Sequence, residues 1–184
     1  KFVDMVQYNG FLYLGSGVSG DKLLRYNGTT TLLAYSTLTT PAAPTATQTG
    51  MSGSTYHNYY KISAVNEIGF TVASAKVDQT TSQPRNTWDN THFVQLTLPS
   101  LQPTQVRYDI YYSIDDLNYG YIASVGNTGY KDDGTDQLIP STTAPTQDTS
   151  SGPSLGSLST VGSRLYGTKD KANPQRTWYS SGQQ

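Results

Sequence analysis

The sequence predicts an all-β fold, on three observations. Thr, Ser, Gly and Tyr supply 26, 20, 17 and 15 of the 184 residues while charged residues make up only 14%. Val, Ile, Thr and Tyr suit a pleated, half-buried surface. Nowhere do ten or more residues carry apolar side chains at helical spacing, whereas period-two alternation bounded by Gly, Pro, Asn and Asp recurs along the chain.

The first 36 residues contain "QYNGFLYLGS" and "RYNGTTTLLAY". Asn-Gly between apolar alternations predicts hairpin turns at Asn9-Gly10 and Asn27-Gly28, because both central residues of a type I′ turn need φ > 0. Near the other end "VGSRLYGTKD" repeats the theme, Leu165-Tyr166 before Gly167 echoing Leu12-Tyr13 before Gly15. Between the ends, the Pro/Thr/Ser-rich stretches "TLTTPAAPTATQTG" and "LIPSTTAPTQDTSSGPS" read as boundaries. They divide the chain into a hairpin flank at 1–40, an inserted domain at 41–147 and a second flank at 148–184.

Inside the insert, Val94, Leu96 and Leu98 alternate with Gln95 and Thr97, and Tyr108, Ile110 and Tyr112 with Arg107, Asp109 and Tyr111. Each run is a strand with one buried face. "YGYIASV" and "TGYKDDGT" supply two more strands, the latter ending at Gly134. In "YYKISAVNEIGFTVAS" two strands are expected around a turn at Asn66 to Gly69, with Tyr60, Ile62 and Ala64, then Phe70 and Val72, pointing inward.

Composition excludes several function classes. A net charge of -1 and a pI near 6.1, with Lys and Arg scattered, give no basic field for a phosphate backbone. Without Cys there is no disulfide framework and no thiolate metal site. No apolar run reaches the roughly 20 residues of a membrane helix. The chain begins at Lys1 with neither Met nor an apolar leader core, and is expected to be part of a longer polypeptide.

No catalytic constellation emerges. Twelve of the 13 acidic residues are Asp. Asp132, Asp133 and Asp136 in "KDDGTD" miss the spacing of a calcium loop and read as Asp-Gly turn chemistry. Asp115-Asp116 reads as a solvated turn. His57 and His92 stand apart from any nucleophile motif, and "GSGVSG" lacks the strand–helix context and Lys-Ser/Thr ending of a phosphate loop. Glu67 lies in a turn. No enzyme, cofactor or metal is therefore expected. Aromatic residues are the remaining signal: Trp88, Tyr111, Tyr119, Tyr121, Trp178 and Tyr179 are candidate platforms for sugar rings, with core or interface packing as the competing reading.

The strands of the insert resemble a fibronectin type III-like β-sandwich. "ISAVNEIGFTVAS" resembles its last hairpin, strands F and G, while "VQLTL", "VRYDIYYS", "YGYIASV" and "YKDDG" resemble strands B, C, C′ and E. The order is rotated. Either the domain is circularly permuted, with its opening strand around "AAPTATQ", or the chain spans two successive domains; closeness of domain termini favours permutation. The flanks resemble fragments of β-propeller blades. Together with the "RLYGTKDKANPQRTWYSS" ending, this combination resembles tail and tail-tip structural proteins of bacteriophages.

That resemblance implies a non-enzymatic virion component of nozzle, tail-tip or baseplate type, located in an extracellular particle. Its implied partners are other copies of itself, other tail proteins and a host cell-surface glycan, with no nucleic acid and no membrane span. Unpaired edge strands in the flanks are expected to be completed by further chain or by symmetric copies. The sandwich is expected to project, with loops at 84–92, 114–119 and 126–136 carrying the contact residues Trp88, His92, Asp115, Asp116, Asn118, Tyr119 and Asp132. The competing function is an accessory or carbohydrate-binding module of a secreted bacterial glycosidase.

Overall fold

The computed structural model describes residues 3–18, 21, 23–29, 32–34, 38–150, 154–169 and 175–180. Among them every strand pairing is antiparallel and the only helical turn is a 3-10 turn at Arg85–Thr87. Of the stretches singled out above, residues 19–20 of the glycine-rich run, 30–31 and 35 of the second Asn-Gly stretch, 37 and 151–153 of the Pro/Thr/Ser stretches, and 170–174 and 181 of the ending lie outside the described residues.

The chain divides into two compact units, one of Lys1–Thr37, Glu67–Gly69 and Thr149–Gln184, the other of Leu38–Asn66 and Phe70–Asp148. The first unit contains two meanders. Strands β1 (Asp4–Tyr8), β2 (Phe11–Gly15), β3 (Leu24–Tyr26) and β4 (Leu32–Ala34) follow one another across one sheet. Asn9 and Gly10 adopt φ of 49° and 76°, so Tyr8 pairs with Phe11 across the expected two-residue turn. The second hairpin differs from expectation. Gly28 has φ of 87° but Asn27 is not left-handed, and Tyr26 pairs with Leu32 rather than across a two-residue turn. The Asn27 Oδ1 instead accepts from the Thr29 N–H at 3.1 Å and the Thr29 hydroxyl at 2.6 Å, a local turn that competes with the tighter one.

After the second unit the first resumes as a three-stranded sheet. Its strands, in order across the sheet, are β13 (Ser157–Val161), β14 (Arg164–Thr168) and β15 (Trp178–Tyr179). The two meanders share a core of Tyr13, Leu23, Leu155, Leu158 and Leu165, flanked by Val6, Tyr8, Phe11, Ile68 and Trp178. Glycine is required where they meet: a Cβ on Gly15 would lie 2.4 Å from the Leu155 carbonyl oxygen, a backbone atom that cannot rotate away. Gly15→Ala is expected to destabilise this unit by about 1–3 kcal/mol through overpacking, read as a lowered denaturant midpoint.

In the second unit two sheets face each other. One is three-stranded, β11 (Gly129–Asp132), β8 (Phe93–Thr97) and β5 (Thr45–Thr49); the other runs β12 (Ile139–Thr143), β10 (Gly120–Val125), β9 (Arg107–Ser113), β6 (Tyr56–Val65), β7 (Val77–Thr81). The alternation read from sequence places Val94 and Leu96 from the first sheet against Tyr60, Ile62, Ala64, Tyr108, Ile110 and Tyr112 from the second. Ile62 and Ile110 are direct cross-strand partners.

One strand departs from expectation. After Asn66, Phe70 makes an isolated bridge to Val65 and is 39% exposed, Val72 is half-buried, and regular pairing resumes only at Val77. Thr71 and Ser74 are buried instead. Their hydroxyls accept the Ala64 and Ile62 N–H groups at 3.1 Å each, while the Thr71 and Ser74 N–H groups donate to the Ala64 and Ile62 carbonyls. Side-chain oxygen thus stands in for strand backbone, which inverts the inward set.

Strand direction sorts the loops. Residues 50–55, 82–92, 114–119 and 133–138 lie at one end of this unit, and 98–106 and 126–128 at the other. The chain enters at the latter end, where Thr39 N–H donates to the Gln102 side chain at 2.8 Å. The expected single loop at 126–136 is therefore corrected: strand β11 divides it between opposite ends.

Candidate functional site

Alternation along β6 turns His57, Tyr59 and Lys61 away from the core that takes Tyr60 and Ile62. The ladder then fixes a row on this outer face: Lys61 pairs with Tyr111, and Tyr111 with Tyr121. A second row joins Asp78, Tyr59 and Ser113. The Tyr111 and Tyr121 rings meet edge to face at 6.2 Å. The Lys61 ammonium sits 4.2 Å from the Tyr119 ring centre and that of Lys76 4.8 Å from Tyr59, so cations lie on aromatic faces. Farther along, the Tyr121 hydroxyl reaches Ser124 at 2.9 Å and Arg107 donates to Asp109 at 2.8 Å.

The turn from Ser113 to Tyr119 borders this face and is organised by two carboxylates. Asp115 Oδ1 accepts from the Ser113 hydroxyl at 2.7 Å and from the Leu117 and Asn118 N–H groups at 2.9 Å, while Oδ2 accepts from the Asn118 amide at 2.6 Å. These bonds, the Asn118 N–H first, hold the Asp115 carboxyl below the usual carboxylate range. Asp116 is ion-paired to Lys76 and accepts from the Tyr119 hydroxyl at 2.5 Å; both bonds lower its pKa, the Lys76 contact most. Burial, then the bond to Asp116, pushes the Tyr119 phenol up.

Lowered carboxylates favour the folded turn above their unfolded pKa, near 4, and that contribution is lost as pH falls through the folded values. Acidification below about pH 4 is therefore expected to loosen residues 113–119 first, seen as faster exchange of the Leu117 and Asn118 amides relative to those of β9.

The structure separates the residues read from sequence as contact groups. Asp115 and Asn118 are exposed, Asp116 and His92 half-buried. Trp88, a candidate platform and contact residue with core packing as its competing reading, is a core residue: it is 7% exposed, belongs to the core cluster of this unit, and its indole N–H donates to the Gln83 carbonyl at 3.1 Å. Tyr111 and Tyr119 are likewise buried, at 4% and 6% exposure, leaving Tyr121 half-exposed. Asp132 is corrected from loop surface to full burial. It is bonded by Arg85 at 2.9 Å, by the Tyr60 hydroxyl at 2.9 Å and by the Gly134 N–H at 3.1 Å. Burial, reinforced by the Asp132 charge, keeps the Tyr60 phenol protonated far above its ordinary range. His92 lies 3.1 Å from Asp89, which is held low mainly by its bonds from Thr91.

Sequence reasoning missed Tyr59, Lys61 and Lys76. The signal was present in "YHNYYKIS", whose outward set is His57, Tyr59 and Lys61 once Tyr60 and Ile62 are assigned inward. Among the described residues no group of three or more His, Cys, Asp or Glu is placed to hold a metal ion. Two aromatic rings of this face are already covered by lysine ammonium groups, Tyr119 by Lys61 and Tyr59 by Lys76. The face's carboxylates are bonded to cations and hydroxyls on the same surface. Comparison of the chain with protein-family models, with curated proteins and with solved structures finds no match.

Proposed function

We propose that the chain is a non-enzymatic structural component of a bacteriophage tail, of nozzle, tail-tip or baseplate type, carrying the 41–147 sandwich as a projecting module for subunit or host-surface contact. One observation carries this reading: two meanders of like design, β1–β4 and β13–β15, stand before and after an inserted two-sheet unit and share a core. The four-stranded meander has the strand number of a propeller blade.

The sheet partition supports the fibronectin-like part of the reading. With β5 as A, β8 as B, β9 as C, β10 as C′, β11 as E, β6 as F and β7 as G, the two sheets become A-B-E and C′-C-F-G, with β12 added beside C′. Chain order is then A-F-G-B-C-C′-E, a rearranged order. The module's loops 50–55, 82–92, 114–119 and 133–138 share one end of it, which suits a contact module, and inserted domains join their hosts through surface connections.

Deleting residues 41–147 and rejoining the flanks with a short linker tests the assignment. Particles that assemble but adsorb poorly support a projecting contact module; failure to assemble makes the insert a structural joint and removes that role. The second reading, a carbohydrate-binding module of a secreted glycosidase, has Tyr121, half-exposed on the outer face, as its one remaining aromatic candidate there. Turnover of a polysaccharide by the intact protein would overturn the structural reading altogether.

A further inference from the structure

The two meanders of the first unit are repeats in side-chain placement as well as strand order. Both have two-residue turns: Tyr8 and Phe11 flank one, Val161 and Arg164 the other. Aligning the turns sets Met5 against Leu158, Leu12 against Leu165, Tyr13 against Tyr166 and Leu14 against Gly167. The ladders extend the match to the third strand, because Leu14 pairs with Leu24 and Gly167 with Trp178, and Tyr13 with Arg25 and Tyr166 with Tyr179. A cation–π pair occupies the same place in both with its partners exchanged. Arg25 lies 4.3 Å from the Phe11 ring centre, and Arg164, the counterpart of Phe11, lies 5.2 Å from that of Tyr179, the counterpart of Arg25.

The meanders nevertheless meet through opposite faces. The first contributes Val6, Tyr8, Phe11 and Tyr13; the second contributes Leu158, Leu165 and Trp178. The contact is fixed by Asp4, whose Oδ2 accepts from the Leu158 N–H at 2.7 Å, and by the Tyr8 hydroxyl donating to the Ser163 carbonyl at 2.7 Å. On the first meander the counterparts of Leu158, Leu165 and Trp178 are Met5, Leu12 and Leu24, all apolar; Met5 is 58% exposed and the two leucines are half-buried. On the second, the counterparts of Val6, Tyr8, Phe11, Tyr13 and Arg25 are Ser159, Val161, Arg164, Tyr166 and Tyr179. Val161 and Tyr179 of this set are 65% and 63% exposed. The first unit thus carries one used and one open face of each kind, the open counterpart of the Val6–Phe11 half bearing Ser159 and Arg164 in their places.

We propose that these open faces join one chain to a second copy of itself, the Val161–Tyr166–Tyr179 face of one chain seating on the Met5–Leu12–Leu24 face of the next. The argument is continuity: the seat already built inside the unit has its apolar pattern reproduced on the free side, and the chain supplies the matching face. Such an interface is heterologous, so it propagates head to tail and closes into a ring when the rotation permits. The proposal stands on the repeat and does not depend on the tail assignment.

Its two halves can be blocked separately at exposed positions, which keeps the variants folded. Sedimentation velocity on the whole protein is expected to show oligomers for wild type. Met5→Arg, and separately Val161→Arg with Tyr179→Arg, should each sediment as monomers, because every joint needs one face of each kind. An equimolar mixture of the two variants should form a dimer and nothing larger, since it contains one intact face of each kind. A monomeric wild type, a single-face variant that keeps wild-type size, or a mixture that fails to dimerise would each overturn the proposal; circular dichroism of each variant verifies that the strands are intact.

Discussion

Replacing Asp132 with Leu is expected to destabilise the second unit by about 3–5 kcal/mol, the largest single effect in the molecule. The carboxylate has no solvent exposure, and the Arg85 side chain that bonds it is only 12% exposed. Removing Asp132 therefore strands a guanidinium that water barely reaches. It also takes the acceptor from the Tyr60 hydroxyl and from the Gly134 N–H. Tyr60 packs 5.4 Å from the Tyr112 ring, whose hydroxyl donates to Asn58 at 2.9 Å, so the loss spreads along a buried polar chain. The check is denaturant unfolding of Asp132→Leu beside the double variant Arg85→Met, Asp132→Leu. Because an apolar pair of similar volume replaces a buried ion pair at little cost, the double variant should recover most of the loss. Equal destabilisation of both would show that packing, not the unpaired charge, sets the penalty.

Ile110→Ala is expected to lower stability by about 2–5 kcal/mol by leaving a cavity where the two sheets meet. Ile110 has no solvent exposure and sits directly across from Ile62, equally buried. Ile62→Ala should fall in the same range. The double variant should depart from the sum of the two, because residues in contact share one relaxation. Additive losses would mean that the cavities do not communicate. The measurement is the shift in denaturant midpoint at unchanged slope.

Both sites show how far the sequence reaches. Period-two alternation announced Val94, Leu96, Tyr108, Ile110, Tyr60 and Ile62, because a buried sheet face leaves that mark on each strand alone. The Asp132 network left none. Its partners Arg85 and Gly134 lie in a polar run, "PRNTWDN", and in an Asp-Gly turn, and both sequences mean surface until the fold sets Arg85 on the buried Asp132. The Thr71 and Ser74 inversion was hidden for a similar reason: burial of those hydroxyls depends on backbone groups of a neighbouring strand. Of the candidate surface, the turn at Asp115 was legible because its bonds to Ser113, Leu117 and Asn118 are local, whereas the Asp116 partner Lys76 comes from a distant strand. The row from Lys61 through Tyr111 to Tyr121 was not, since it exists only after β6, β9 and β10 take register.

The shared core of the two meanders also has a consequence in time. A ribosome delivers the chain from its N-terminus, and β1 to β4 are complete by Ala34, whereas Leu158, Leu165 and Trp178, which cover Val6, Tyr8 and Phe11, come only at the far end. At translation rates of about 5–20 residues per second, the first meander waits roughly 7–29 s before Trp178 completes the cover. The intervening residues have the whole of that interval to fold as a unit of their own. Nascent chains are therefore most vulnerable to aggregation during this delay, and a stall introduced after Asp148 would prolong the dangerous state without altering a single contact of the finished protein.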